Sequence, residues 1–305
     1  MGIWTMQESL SAERSRWRFL PGFIGRHWRG ETPFWLSLLG FTLALAISLY
    51  VISTLWLTQW SLQDTPVSRM VQGVIVSALI AGAAIWQLVG TWRASAKTKA
   101  PQRWWITRWM ARGLAALVCI GGLLMLGAIP KGMSSLYLEA TDQDWIGQNG
   151  YSVTVEDENL VISGYLAWGV LDAVSRELSA NPGIQMFVLN SPGGHVGVGT
   201  RLYDMIKSRG HDTYTTEQCA SACIMPYLAG NNRYLQKGAK LGFHAVGGDG
   251  GNSIAAGTAK VLSIFRTANV SDAFIERMLA TPFESAWYPS PKELTEANVV
   301  TELVE

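Results

Sequence analysis

A chain of 305 residues has room for one full-sized globular domain and a smaller companion. A composition of 49% hydrophobic and 15% charged residues excludes a single, uniformly solvated domain. The formal net charge of +1 hides a split, with +8 over residues 1–130 and −7 over residues 131–305, so the two parts meet different surroundings.

Residues 1–32 form a basic leader carrying Arg14, Arg16, Arg18, Arg26 and Arg29. Three uncharged stretches follow, Thr32 to Gln63, Met70 to Trp92 and Gly113 to Pro130. A helix needs about 20 apolar residues to cross a bilayer core. The region 33–130 is therefore predicted to hold three transmembrane helices, at about 34–57, 71–90 and 113–130. The third is short, but Arg112 and Lys131 bracket it, and Trp104, Trp105 and Trp109 precede it as an interfacial belt would. The first apolar run starts too late and runs too long for a cleaved signal peptide.

Between the second and third spans lie Arg93, Lys97, Lys99, Arg103, Arg108 and Arg112, with no acidic residue. The positive-inside rule keeps this loop and the N-terminus cytoplasmic. Three crossings then place residues 131–305 on the far side, which in a bacterium makes the chain a multi-pass inner-membrane protein with a periplasmic domain. Topology and anionic lipid account for the basic loop, so no nucleic-acid partner is expected.

After Lys131 the texture changes. Ser152 to Val155 and Leu160 to Ser163 read as strands around an acidic turn, and Leu171 to Leu178 as a helix ending near Asn181-Pro182-Gly183. Ile184 to Leu189 suits a buried parallel strand. Val198, Leu202, Met205 and Ile206 recur at helical spacing up to Gly210. Thr213 to Thr216, Tyr234-Leu235 and Leu241 to Ala245 read as further strands, with a helix from Ser221 to about Leu228. Val246 to Gly257 reads as a Gly-rich loop. This order predicts an α/β domain over 131–305 with a mainly parallel sheet and crossover helices.

Three segments carry chemistry. Asn190-Ser191-Pro192-Gly193-Gly194 follows a buried strand, and its glycines can turn sharply and present N–H groups to an oxyanion. Ser221 lies between two alanines at a helix start, where it serves either as an N-cap or as a nucleophile with the Ala222 N–H as a second oxyanion donor. His244 ends a strand, where a histidine side chain can take a serine proton at neutral pH. His195 belongs either to the wall of such a site or to a surface turn. Cys219 and Cys223 flank Ser221 and could close a disulfide in an oxidising compartment. Two thiols without a nearby histidine make a poor metal site, and no cofactor is expected.

Taken together, Leu189 to Gly194 with Leu202-Tyr203-Asp204-Met205, Ala220-Ser221-Ala222 through Ala229-Gly230, and Gly242-Phe243-His244 resemble the proteolytic subunit of Clp protease, within the Clp/crotonase superfamily. The Cys-Ala-Ser-Ala-Cys and Gly-Phe-His forms resemble most a membrane-anchored bacterial branch of Clp-like proteins. The resemblance spans about 152–301 and implies a serine peptidase. Ser221 would be the nucleophile, His244 the base, Gly193, Gly194 and Ala222 the oxyanion donors, a polypeptide the substrate, and homo-oligomers the assembly. The family's acid position falls on Ala286, leaving Glu284, Ser285 or a bare Ser-His dyad to orient the imidazole. Lysine-based membrane relatives make Lys260 an alternative base. A catalytically silent module for membrane-associated binding or assembly is the competing function. Acyl-thioester chemistry of the crotonase type is disfavoured by the extracytoplasmic placement.

Overall fold

The structure, a computed structural model, describes residues 22–44, 46–48, 51, 65–97, 109, 112–113, 116–117, 120, 134–247 and 251–305. The leader up to residue 21, the end of the first predicted span and most of the third lie outside the described residues. The chain divides into two compact units, one of Met1–Leu55 with Gln72–Lys131, the other of Trp56–Val71 with Gly132–Glu305.

In the first unit, helix α1 (Gly22–Trp28) precedes a π-helical turn at Leu36–Gly40. The long helix α2 (Pro66–Lys97) belongs to this unit from Gln72 onward. Its 32 residues rise about 48 Å, more than the roughly 30 Å of a bilayer core. It covers the second predicted span and leaves Val71, Val74, Ile75, Leu79 and Ile85 exposed. Among the described residues it is the one helix long and apolar enough to cross a membrane, by length and composition. A polar cluster packs beside its C-terminal half. The His27 ring is fully buried over Gly90, where a Cβ would collide with it, and its Nδ1 lies 3.2 Å from Ser37 Oγ. Ser37 Oγ is in turn 3.1 Å from Thr91 Oγ1, and Gln87 Nε2 donates to Ser37 O at 2.8 Å. The Lys97 ammonium donates to Arg29 O at 2.7 Å and Arg93 to Trp28 O at 3.0 Å.

The second unit is the α/β domain. Residues 134–140 and helix α3 (Trp145–Gln148) lead into an antiparallel hairpin, β1 (Tyr151–Glu156) and β2 (Asn159–Gly164). The order continues with α4 (Gly169–Ala180), β3 (Met186–Asn190), α5 (Val196–Arg209), β4 (Asp212–Thr215) and β5 (Gln218–Ala220). Ser221–Cys223 form a 3-10 turn into α6 (Ile224–Leu228), followed by β6 (Arg233–Gln236) and β7 (Lys240–Gly242). Helices α7 (Gly251–Thr267), α8 (Asp272–Ala280) and α9 (Pro291–Glu296) precede β8 (Glu302–Val304). One sheet has the order β1-β2-β3-β4-β6-β8, parallel from β2 onward, and β5 and β7 form a separate parallel pair. A mixed α/β fold with a mostly parallel sheet is thus what the chain adopts.

The strand faces follow the apolar residues. Phe187 and Leu189 of β3 and Leu160 and Ile162 of β2 are fully buried in one core with Leu202 and Ile206 of α5. The segment read as a Gly-rich loop differs, because α7 already begins at Gly251. Val261, Ile264, Phe265 and Ala268, spaced for one helical face, are buried and draw the chain into a helix.

The stretch ahead of the hairpin is tied down by Asp142, whose two carboxylate oxygens accept from the Gly169 N–H at 3.1 and 3.0 Å while Tyr151 OH donates at 3.2 Å. A carboxylate there also offsets the positive end of α4. Asp142→Ala is expected to lower the stability of the α/β unit by about 1–2 kcal/mol, read as an earlier midpoint in urea unfolding of the full-length protein.

Candidate active site

Strand register brings the three predicted segments together. Ala220 pairs with Gly242 in the parallel β5–β7 ladder, so Ser221 leaves one strand beside the point where Phe243 and His244 leave the next. The end of β3 joins the same edge. Ser191 N donates to Gln218 O at 2.7 Å and Ala220 N to Ser191 O at 3.0 Å, setting the Gly-Gly turn against the start of the 3-10 turn. Asn190 compensates for the divergence of β3 from β4: its Oδ1 accepts from the Thr216 and Glu217 N–H groups at 3.1 and 3.0 Å. Sites at the carboxyl ends of parallel strands are the general outcome of this architecture.

Ser221 adopts φ +55°, the left-handed region that costs an L-residue roughly 1–2 kcal/mol. Several contacts hold it there. Cys219 and Cys223 are joined by a disulfide whose Cα atoms are 5.3 Å apart, and both residues are fully buried. Gly193 packs so closely that a Cβ on it would lie 2.7 Å from Ser221 Cβ. Gly194 presses on Leu166 in the same way, with 2.7 Å to its backbone N and O. Both glycines have positive φ, 112° and 150°.

A cavity of about 490 Å³ opens over this turn. Gly194, Ser221, Ala222 and His244 line it, with Met225, Phe265 and Phe283 among its apolar walls. The two glycines are not equivalent. The Gly193 N–H donates to Ser191 Oγ at 3.1 Å and the Gly193 carbonyl accepts from Leu166 N at 2.8 Å, so this residue is committed to the turn. The Gly194 N–H has no hydrogen-bond partner among the described residues, and Gly194 faces the cavity.

His244 is half-buried. Its Nδ1 lies 2.7 Å from the Ala245 carbonyl oxygen, and Phe283 meets the ring edge-on, 5.2 Å between centroids at 78°. The backbone around it is fixed by Phe243 and Trp287, which exchange N–H···O bonds of 2.9 and 2.8 Å, and by the Ala245 N–H donating to Thr281 O at 2.9 Å. Among the described residues no hydrogen bond joins Ser221 to His244.

The other predicted residues sit as follows. Glu284 is exposed and does not line the cavity, where its neighbour Phe283 does. The Ser285 hydroxyl donates to Pro282 O at 3.2 Å. Lys260, on α7, lies 3.8 Å from Asp204 Oδ1 of α5 and is outside the cavity lining. His195 does line it. Its Nε2 is 2.9 Å from Asp144 Oδ2, in an electrostatic contact poorly aligned for a hydrogen bond, and its ring lies 5.8 Å from that of Trp168. No group of His, Cys, Asp and Glu suited to a metal ion occurs among the described residues.

Several contributors went unread in the sequence. Glu139 and Ile146, from the stretch ahead of the hairpin, close one side of the cavity. Ser191 as the brace of Gly193 was signalled by a serine two residues ahead of a glycine that must turn. The Ala245 carbonyl left no sequence signal, since every residue has one.

No family model and no curated protein matches the chain. Among solved structures, ClpP1 from Listeria monocytogenes is similar at 24% identity with a TM-score of 0.43, over 48% of this chain and 91% of that one. A single-substitution mutant of the same ClpP1 is similar at 22% identity with a TM-score of 0.35, over the same shares.

The disulfide brackets five residues, a loop whose closure is worth about 2 kcal/mol in the chain-entropy picture. Replacing both cysteines, Cys219→Ala with Cys223→Ala, is expected to lower stability by about that amount and to leave Ser221 free to relax from its left-handed conformation. Thermal unfolding of the double variant against wild type checks this.

Proposed function

We propose that the chain is a membrane-anchored serine hydrolase that cleaves peptide bonds, with Ser221 as nucleophile and His244 as base. One observation carries the reading: Ser221, held at φ +55°, shares a single cavity with His244, Gly194 and Ala222. Ser221 Oγ attacks the substrate carbonyl while His244 Nε2 takes its proton. The oxyanion that forms receives the N–H groups of Gly194 and Ala222, each such donor being worth about 3 kcal/mol. His244 then passes the proton to the leaving amine, the acyl-enzyme remains on Ser221, and water releases it by the reverse sequence. Gly193, predicted as a third donor, is instead assigned to shaping the turn, because Ser191 Oγ already occupies its N–H. Met225, Phe265 and Phe283 suit an apolar side chain of the substrate.

Lys260 is not assigned as the base, because Asp204 holds it outside the cavity. A silent module for membrane-associated binding or assembly remains the second reading, favoured by the missing hydrogen bond between Ser221 and His244 among the described residues. Catalytic hydrogen bonds often tighten only once substrate is bound, so the first reading is preferred.

Anchoring is assigned to the apolar helices, with the α/β unit in the periplasm. The basic residues support this orientation, as do the bonds from Arg93 and Lys97 to the backbone of Trp28 and Arg29, which put the end of the leader and the end of α2 at one level. The disulfide at the nucleophile suits an oxidising compartment. Self-association and the physiological polypeptide rest on the motif resemblance alone.

Labelling with a fluorophosphonate probe tests the chemistry: wild type should react, Ser221→Ala should not, and His244→Ala should react at least about a hundredfold more slowly. An unlabelled wild type would leave the silent module. Orientation is tested apart, since a C-terminal alkaline phosphatase fusion should be active and an inactive one would refute the periplasmic placement.

A further inference from the structure

Serine hydrolases of this type use a carboxylate to hold the histidine, and among the described residues no carboxylate meets His244. Ala286 stands at the position where the motif resemblance would place it. The segment around it offers His244 the ring of Phe283, while Glu284 points to solvent. Among the described residues two other carboxylates approach the cavity, and both are engaged. Glu139 lies 3.7 Å from Arg69 Nη2, and Asp144 lies 2.9 Å from His195. What His244 Nδ1 does meet is the carbonyl oxygen of Ala245, at 2.7 Å.

We propose that the backbone carbonyl of Ala245 replaces the triad carboxylate as the group that positions His244. This rests on the Ser-His reading above. A carbonyl oxygen only accepts, so a contact of this length requires the proton on Nδ1. The neutral ring is then the Nδ1–H tautomer, and Nε2 is its basic atom. When Nε2 takes the serine proton, Nδ1 keeps its own, and the imidazolium is stabilised by a peptide dipole in place of a full negative charge. Ala245 is itself anchored by its N–H on Thr281 O at the end of α8, and the edge of Phe283 limits rotation of the ring. Ala245 is thus a positioning residue acting through His244, and Glu284 has no part in the chemistry.

The tautomer can be read directly. The chain has only four histidines, so full-length protein in detergent micelles, labelled with 15N-histidine, gives a two-bond proton–nitrogen spectrum that is assigned for His244 by its loss in His244→Gln. Above the imidazole pKa the expected signature is a protonated Nδ1 and a bare Nε2. A protonated Nε2 would overturn the proposal. Kinetics supply a second arm on a p-nitrophenyl ester. Nδ-methylhistidine at position 244, which cannot donate to Ala245 O, should lower kcat by about a hundredfold with KM unchanged, whereas Glu284→Gln should stay within about twofold. A hundredfold loss in Glu284→Gln at constant KM would overturn the proposal by restoring the carboxylate. If fluorophosphonate never labels Ser221, the peptidase reading fails while the tautomer is still decided by the spectrum.

Discussion

The site depends on one strained residue. A serine at φ +55° is uphill by roughly 1–2 kcal/mol, and the surrounding structure must supply that energy in the folded state. Three things do so from different directions. The Cys219–Cys223 disulfide closes the turn from both sides, Gly193 fills the space above Ser221 as no larger residue could, and the β5–β7 ladder fixes the chain before it. The strain turns Ser221 out of the strand and into the cavity in place of extending β5, and every chemical role assigned to the site follows from that displacement.

The second constraint is that a parallel pair ends both of its strands at the same edge. β5 and β7 deliver Ser221 and His244 there, and β3, leaving β4 for β5 at Ser191, delivers the Gly-Gly turn. The cavity is nevertheless not closed by these strands alone. Asp142 caps α4 and Asp144 reaches His195 beside Gly194, so the stretch ahead of the hairpin becomes one wall, contributing Glu139 and Ile146. That stretch also leads directly out of the chain's apolar part in sequence.

The β3 strand, the α5 helix and the order of turn, serine and histidine were legible because each has a local signature. Ile184 to Leu189 is a short apolar run, Val198 to Ile206 keeps helical spacing, and Gly193-Gly194 can only be a turn. Helix α7 was missed over Gly251 to Gly257, where glycines dominate, since burial of its Val261–Phe265 face decides the structure and is a tertiary fact. The division of labour between Gly193 and Gly194 was equally invisible. It depends on where Ser191 Oγ sits, and two adjacent glycines look alike in sequence. By position the sequence offers Glu284, Ser285 or a bare dyad to orient His244; the group the ring meets among the described residues is a backbone atom that no residue type marks.

The central claim is geometric: Ser221 is displaced so that an oxyanion formed on it meets the N–H groups of Gly194 and Ala222. A crystal structure of the protein after reaction with diisopropyl fluorophosphate tests this most directly, because the phosphoryl oxygen mimics the oxyanion. The account predicts a covalent bond to Ser221 Oγ, the phosphoryl oxygen within about 3 Å of both N–H groups, and the Gly193 N–H still on Ser191. An adduct on another residue, or a phosphoryl oxygen turned away from Gly194 and Ala222, would contradict it.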